Sequence, residues 1–345
     1  MSFKAVDLLG ISMLIDYEAM FREAGAEIEL VKNPCPLGAT EDEIISAIGD
    51  ADAVITQTTF QKFTKKVLGS LPKVRLVSSI GVGYDNLDVP AATEAVILAA
   101  NVPDASTDEV AEHTLGLILS CTRGIIELNE IVKAGRWTAV GDPHIAGNVW
   151  PRLSRLRGQA LGIIGLGRIG QAVASRAKAF GLTVMAYDPY ISTAVFEKAG
   201  AENLGLAELL EKSDIVSLHC PLTAETNGML GVAELKKMKK TACLINTARG
   251  AIVDFAALFS ALKEGYIAMA AFDVTEPEPI EASSPLLGLP NFIVTAHSAG
   301  ISPQAFSELQ RRPGYEVLRV YRGEWPVGLL NPEVKESYLR KWKKP

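Results

Sequence analysis

The 345-residue sequence has few cysteines and no long apolar run. Its four cysteines, Cys35, Cys121, Cys220 and Cys243, form no CxxC pair and no metal-type spacing. We therefore expect reduced thiols in a cytoplasmic protein, with neither disulfides nor a metal site. No apolar run approaches the roughly 18 residues of a membrane span, and Asp7 interrupts the apolar stretch near the N-terminus. Neither a membrane helix nor a signal peptide is predicted.

The sequence also has little excess charge. Lys and Arg number 34 and Asp and Glu number 40, which leaves a net charge of −6. Nucleic-acid binding depends on clustered basic residues, so we expect no nucleic-acid partner. With 48% hydrophobic and 21% charged residues, the composition is that of an ordinary globular protein, and the length predicts two domains. Small molecules and proteins remain as the expected partners.

Short β-branched runs alternate with amphipathic stretches along the chain. This pattern predicts parallel sheets that are covered by helices on both faces. Strands are predicted at residues 4–9, 27–32, 53–57, 75–80, 96–100, 160–164, 183–187, 215–220, 242–247, 268–273 and 292–295. The last six are typical of a doubly wound dinucleotide-binding unit.

Two longer helical patterns bracket those six strands. The first runs from Thr107, which we expect to cap it, to about Lys133, and the second covers residues 304–322. Pro313 predicts an interruption or kink in the second helix. We expect a unit of residues 107–302 inserted into one built from residues 1–106 and 303–345. A cleft between them would suit a small molecule.

A glycine-rich turn follows the strand predicted at residues 160–164. It consists of Gly165, Leu166, Gly167, Arg168, Ile169 and Gly170. Gly165 permits the tight turn, Gly167 lets the backbone approach a pyrophosphate, and Gly170 permits close packing of helix on strand. The helix that follows offers free N–H groups and a positive dipole end to the anion. The turn therefore predicts a dinucleotide site.

Asp188 indicates which dinucleotide binds. It ends the next predicted strand, 18 residues after Gly170, close to the roughly 20 residues expected for a carboxylate that binds the ribose of NAD. A carboxylate repels the 2′-phosphate of NADP, and the following Pro189 and Tyr190 supply no arginine to bind one. NAD is therefore the expected cofactor.

Chemically active side chains follow the next three strands at the edge where parallel sheets bind ligands. Arg249 follows the first of these strands, and Asp273 ends the second, with Glu276 and Glu278 just beyond it. His297 follows the third. A guanidinium binds a carboxylate in bidentate geometry, and an imidazole exchanges protons with a hydroxyl or carbonyl oxygen. Taken singly, Arg249 could form a surface ion pair, the acidic residues could lie in a solvated loop, and His297 could be a packed histidine. Together, the three features predict a catalytic site.

The other three histidines carry no functional prediction. His113, in a helical pattern beside Glu112, is expected at the surface or between the domains, and His144 in a solvated loop. His219 and Cys220 are not a chelate, because neighbouring residues of a strand face opposite ways.

Taken together, the motifs resemble the D-isomer-specific 2-hydroxyacid dehydrogenase family over nearly the whole chain, in particular its phosphoglycerate dehydrogenase and C-terminal-binding-protein branch. The segments that carry the resemblance are GVGYDNLD at 81–88, DEVAEH at 108–113, the glycine turn, NTARG at 246–250, FDV at 272–274 with Glu278, and HSAG at 297–300. The resemblance implies hydride transfer between NAD and a 2-oxo or D-2-hydroxy acid. It implies a Rossmann NAD-binding domain at 107–302, a flavodoxin-like substrate domain and a homodimer.

The resemblance also implies roles for single residues. Arg249 binds the substrate carboxylate and polarises its carbonyl, His297 is the general acid/base, and Glu278 is its partner, with Glu276 as a rival. The backbone amides of Val82 and Gly83 form a second carboxylate clamp. Besides the glycine turn and Asp188, the resemblance implies that eight further residues contact the cofactor: Thr107, Pro221, Thr226, Thr247, Ala248, Asp273, His297 and Gly300.

Some points stay open. The family usually has proline before the histidine, whereas Ala296 stands here, which leaves the orientation of the His297 ring open. Residues 168–190 also resemble the corepressor proteins of the family, which bind NAD(H) to dimerise and recognise peptides. Oxidation of phosphite or formate on the same scaffold is a further alternative, although Glu278 argues against formate. The loop at 81–88 has no basic cluster, which favours an unphosphorylated acid.

Overall fold

The computed structural model describes residues 3–10, 15–36 and 38–343. The chain divides into two compact units, one of Met1–Ala105 with Ser302–Pro345 and one of Ser106–Ile301. The boundaries predicted from the sequence lie one residue further along the chain. No helix in the described residues is long and apolar enough to cross a membrane.

Strands and helices alternate through the described residues. The strands are β1 (Phe3–Asp7), β2 (Ile28–Lys32), β3 (Ala53–Thr56), β4 (Leu76–Ser79), β5 (Leu98–Ala100), β6 (Ala160–Ile164), β7 (Thr183–Tyr187), β8 (Glu202–Asn203), β9 (Ile215–Leu218), β10 (Cys243–Asn246), β11 (Met269–Phe272) and β12 (Phe292–Val294). The helices are α1 (Tyr17–Glu23), α2 (Glu41–Ile48), α3 (Lys65–Gly69), α4 (Val89–Glu94), α5 (Thr107–Arg123), α6 (Ile125–Lys133), α7 (Arg168–Ala179), α8 (Thr193–Ala199), α9 (Leu206–Lys212), α10 (Val232–Leu235), α11 (Phe255–Lys263), α12 (Pro303–Arg322) and α13 (Lys335–Trp342).

The unit built from both ends of the chain contains a five-stranded parallel sheet in the order β2-β1-β3-β4-β5. Successive strand residues face opposite sides, so Val54 and Val77 belong to one core, and Ala53 and Leu76 to the other. The central strands β3 (AVIT) and β4 (LVSS) are buried at every residue, so both faces of the sheet are covered there. The predicted parallel α/β architecture is confirmed.

Helix α12 is not interrupted at Pro313, contrary to the sequence-based expectation. It continues from Pro303 to Arg322 because residues on both sides of the proline are held in the core, Gln310 before it and Gly314 and Val317 after it. Gly314 packs so closely on Tyr17 that a Cβ would lie 2.7 Å from its ring, and Val317 is fully buried. The proline removes one helical N–H, and this packing compensates for the loss.

The second unit contains a seven-stranded parallel sheet in the order β12-β11-β10-β9-β6-β7-β8. All the predicted strands are present. Strand β8, with two residues, was missed because it is too short to show a period. The order reverses between β9 and β6, and sheets of this kind bind ligands beyond the carboxyl ends of the strands at such a point.

The helical pattern predicted from Thr107 to Lys133 is two helices, so that expectation was wrong. Gly124 separates α5 from α6 with a φ of 60°, a left-handed conformation that glycine adopts without strain. Thr107 is also not the cap, since it is the first helical residue and Ser106 occupies the capping position.

Candidate active site

The glycine turn joins β6 to α7 in the second unit. Gly165 has a φ of 91°, and a Cβ there would lie 2.5 Å from the backbone nitrogen of Cys220. A Cβ on Gly170 would lie 2.2 Å from the carbonyl oxygen of Gly165. Both positions therefore require glycine for the packing of the protein itself. Gly167 differs, because its Cβ would meet no described atom within 4 Å.

That open space fits a dinucleotide. Gly167 is the N-cap of the twelve-residue α7 and makes no side-chain capping bond, so the N–H groups of the first turn point into it. Asp188, after β7, accepts hydrogen bonds from the N–H of Leu166 (2.9 Å) and the N–H of Tyr190 (3.1 Å). Since each carboxylate oxygen accepts two hydrogen bonds, capacity remains for the ribose hydroxyls.

Arg249 is positioned by the loop that follows β10. Asn246 donates a side-chain hydrogen bond to the carbonyl of Arg249 (2.9 Å) and accepts one from the N–H of Ala248 (3.0 Å). A Cβ on Gly250 would lie 2.2 Å from the backbone of Thr275, so this loop packs directly on the loop after β11. Arg249 is thereby held in a half-buried position beside the acidic segment.

The turn that carries His297 is built on Asp273, whose side chain is buried. Asp273 accepts hydrogen bonds from the N–H of Ser298 (3.0 Å), the N–H of Ala299 (2.8 Å) and the hydroxyl of Thr295 (2.5 Å). The N–H of His297 donates to the carbonyl of Asp273 (2.8 Å). Asp273 therefore ties β11 to the turn after β12. Its expected contact with the cofactor stays a prediction.

Glu278 is the acidic residue that meets His297. A hydrogen bond joins Nδ1 of His297 to Oε1 of Glu278, which orients the ring despite the absence of proline before it. Burial raises the pKa of Glu278, but the bond and charge of His297, the N–H of Thr275 and the charge of Arg249 outweigh burial, so this pKa lies below its usual value. The charges of Arg249 and His297 thus both act on Glu278. Glu276 is exposed and makes no such contact among the described residues.

The remaining predicted cofactor residues lie in the same unit, on loops or, for Thr107, Arg168 and Ile169, at the start of α5 and α7. Thr247 is buried and hydrogen-bonds Thr114 of α5 (3.0 Å), while Thr226 donates to the carbonyl of Pro221 (2.7 Å). A Cβ on Gly300 would lie 3.3 Å from Ser106, just before Thr107. Cofactor contacts at Arg168, Ile169 and these positions stay predictions. In the described residues, no three His, Cys, Asp or Glu side chains are placed to hold a metal.

Val82 and Gly83 lie in the other unit, in the loop after β4. Asn101 donates to the carbonyl of Val82 (2.7 Å) and Thr59 to the carbonyl of Gly83 (3.3 Å), which fixes the loop. The N–H groups of Val82 and Gly83 donate to no group in the described part of the chain. They are therefore available to an anion. Their role as a carboxylate clamp stays a prediction.

His113 and Thr295 were not predicted as residues of the site. Nε2 of His113, on α5, lies 3.1 Å from the hydroxyl of Thr295 and 3.6 Å from the side chain of Asp273. His113 was expected only at the surface or between domains. The signal that could have found it is helical phase, since it lies three residues after Val110 and four before Leu117, which are buried on α5, a helix that packs on β10 and β11.

The chain is similar to known proteins in both sequence and structure. The sequence model for the NAD binding domain of D-isomer specific 2-hydroxyacid dehydrogenases matches residues 115–299. A glyoxylate reductase of Korarchaeum cryptofilum is 40% identical over 309 residues, which are 89% of this chain and 90% of that protein. The chain belongs to the D-isomer specific 2-hydroxyacid dehydrogenase family. Its second unit is the NAD-binding domain, and NAD is the cofactor.

Other members of the family are similar to lesser extents. A D-3-phosphoglycerate dehydrogenase of Methanocaldococcus jannaschii is 39% identical over 308 residues, which are 89% of this chain and 57% of that protein. The crystal structure of a glyoxylate reductase from Paecilomyes thermophila superposes with a TM-score of 0.83 at 27% identity, covering 96% of this chain and 99% of that one. The two-sheet architecture is thus that of the family.

Proposed function

We propose that the protein is an NAD-dependent reductase that converts a small, unphosphorylated 2-oxo acid into a D-2-hydroxy acid. The observation that carries the proposal is the meeting of Arg249, Glu278 and His297 at the carboxyl edge of the sheet that also bears the glycine turn. A cation, a proton carrier and a carboxylate that orients it are the groups that this reduction requires.

Each of the three side chains has a distinct role in the proposal. NADH, when bound, supplies the hydride to the carbonyl carbon. Arg249 binds the substrate carboxylate and stabilises the charge that grows on the carbonyl oxygen, and His297 gives its Nε2 proton to that oxygen. Glu278 occupies Nδ1, so the proton that is transferred is the one on Nε2. These contacts strengthen in the transition state, which lowers the barrier.

The choice of a small unphosphorylated acid rests on charge. The segment at 81–88 has no Lys or Arg that could bind a phosphate group. Relatives in several archaea are named glyoxylate reductase, including those at 39% and 38% identity. We therefore place glyoxylate first among the substrates to test, ahead of hydroxypyruvate and pyruvate.

The test is turnover of a panel of 2-oxo acids with NADH, using wild type and His297→Ala. We expect His297→Ala to lower kcat by about 10²–10⁴-fold, as loss of a general acid does. His144→Ala is the matched control, because His144 is exposed and contacts Asn148. Full turnover by His297→Ala would contradict the proposed role. Binding of NADH without turnover of any acid would favour the corepressor-like alternative instead.

We also propose the homodimer that the resemblance implies. Exposed apolar side chains are concentrated between α6 and the end of the following loop, at Ile125, Ile126, Val132, Trp137, Val140 and Trp150. Such a patch marks a surface that binds another protein, and a second copy is its expected occupant. Light scattering should give twice the mass of the chain, and Trp137→Asp should shift it towards the monomer. A monomeric wild type would refute the proposal.

A further inference from the structure

A line of hydrogen bonds runs from helix α5 to the turn that holds His297. It begins at Nε2 of His113, which lies 3.1 Å from Oγ1 of Thr295. The Thr295 hydroxyl donates to Oδ1 of Asp273. Asp273 in turn accepts the N–H groups of Ser298 and Ala299, the two residues that follow His297. Every member of this line lies in the same unit.

The direction of the first bond follows from counting protons. A hydroxyl has one proton to donate, and that of Thr295 goes to Asp273. Thr295 must then accept from His113, which requires the proton of His113 to sit on Nε2. His113 therefore acts as a hydrogen-bond donor at the start of the line. It orients the hydroxyl of Thr295, and that hydroxyl in turn holds the side chain of Asp273.

The turn itself requires such support. His297 has a φ of 50°, a left-handed conformation that is strained for a non-glycine residue and persists only where neighbouring contacts impose it. The contact with Glu278 orients the ring, but that side chain lies on the loop after β11 and does not hold the backbone on the far side of His297. The N–H groups of Ser298 and Ala299 are held by Asp273.

We propose that His113 is a positioning residue for the proton transfer by His297, acting through Thr295 and Asp273. The inference rests on the proposed function, because it presumes that His297 carries the proton. His113 does not touch the reacting atoms. It keeps Asp273 in the rotamer that binds the turn, and so keeps Nε2 of His297 in place.

The test uses the wild-type protein, three variants of the hydrogen-bonded line and one control variant. His113→Leu removes the donor, Thr295→Val removes the relay hydroxyl with little change of shape, and His113→Gln places an amide N–H close to where Nε2 stood. Glu112→Gln, an exposed neighbour on the same helix, is the matched control. The measurements are kcat, the KM for NADH, and hydrogen exchange of the backbone amides of residues 296–301 without cofactor or substrate.

We expect His113→Leu and Thr295→Val to lower kcat about tenfold or more, as small displacements of a catalytic group do, with the KM for NADH within about twofold. Exchange at Ser298 and Ala299 should become faster in both variants, while His113→Gln restores exchange and kcat and Glu112→Gln changes neither. Unchanged exchange in Thr295→Val, or no rescue by His113→Gln, would overturn the inference. If wild type turns over no 2-oxo acid, the proposed function fails, and the exchange data still decide whether His113 holds the turn.

Discussion

Glu278→Gln isolates the charge of the carboxylate that contacts His297. The amide keeps nearly the same shape and its oxygen still accepts from Nδ1, so the geometry survives while the charge is lost. Hydrogen bonds to charged groups contribute about 1.5–3 kcal/mol, roughly twice the neutral value. The side chains of His297 and Glu278 are 39% and 34% exposed, and solvent screening therefore places the contribution of this pair at the lower end of that range. We expect a loss of about 1 kcal/mol in the transition state, or about fivefold in kcat.

The assay is steady-state reduction of the best 2-oxo acid at saturating NADH. The matched control is Glu276→Gln, two residues away in an exposed position, which should keep kcat within twofold. A double-mutant cycle sharpens the result, because Glu278 is proposed to act through His297. In the His297→Ala background, Glu278→Gln should cause little further loss. An equal loss in both backgrounds, or an equal effect of Glu276→Gln, would refute the reasoning.

Two further predictions concern the cofactor turn and the response to acid. Gly167→Ala should keep the melting temperature within about 2 °C, because its Cβ meets no described atom within 4 Å, and yet weaken NADH binding about tenfold or more by filling the pyrophosphate space. Gly165→Ala, with its Cβ 2.5 Å from Cys220, should instead lower the melting temperature; tight NADH binding by Gly167→Ala would contradict the assignment. Burial lowers the pKa of His219 from 6.5 to about 3, so only the unfolded chain gains this proton below about pH 6.5, and stability is lost as the pH falls. His219→Gln, which keeps the contact with Ser217, should lose less stability in urea unfolding between pH 7 and pH 5, by at most about 1.4 kcal/mol per pH unit; equal losses would show that His219 does not titrate in this way.

The strands and the glycine turn were predictable because their signals are local. A β-branched run such as that of β9 identifies a buried strand by itself, and Gly165 and Gly170 are required by contacts that the strand–turn–helix order implies. The end of α5 was not predicted, since Gly124 inside a helical pattern does not by itself reveal a φ of 60°. The continuity of α12 through Pro313 depends on burial against Tyr17, nearly 300 residues earlier in the chain.

The candidate site likewise has features that could be predicted from local sequence and features that could not. The positions of Arg249 after β10 and His297 after β12 follow from the parallel sheet, and their chemistry follows from residue type. The choice between Glu276 and Glu278 was out of reach, because it depends on the path of a short proline-rich loop. The contact of His113 with Thr295 was equally hidden, since it joins side chains 182 residues apart.

The order of the seven-stranded sheet separates two tasks. The glycine turn and Asp188, which are expected to bind the pyrophosphate and the ribose that distinguishes NAD from NADP, follow β6 and β7 on one side of the point where the order reverses, whereas Arg249, Glu278 and His297 follow β10, β11 and β12 on the other side. The hydrogen bonds of Asp188 and those of Asp273 share no residue. Changes that retune which coenzyme is accepted should therefore combine additively with changes that retune the acid–base chemistry. Each half of the sheet can be varied, by selection or by design, while the other is left intact.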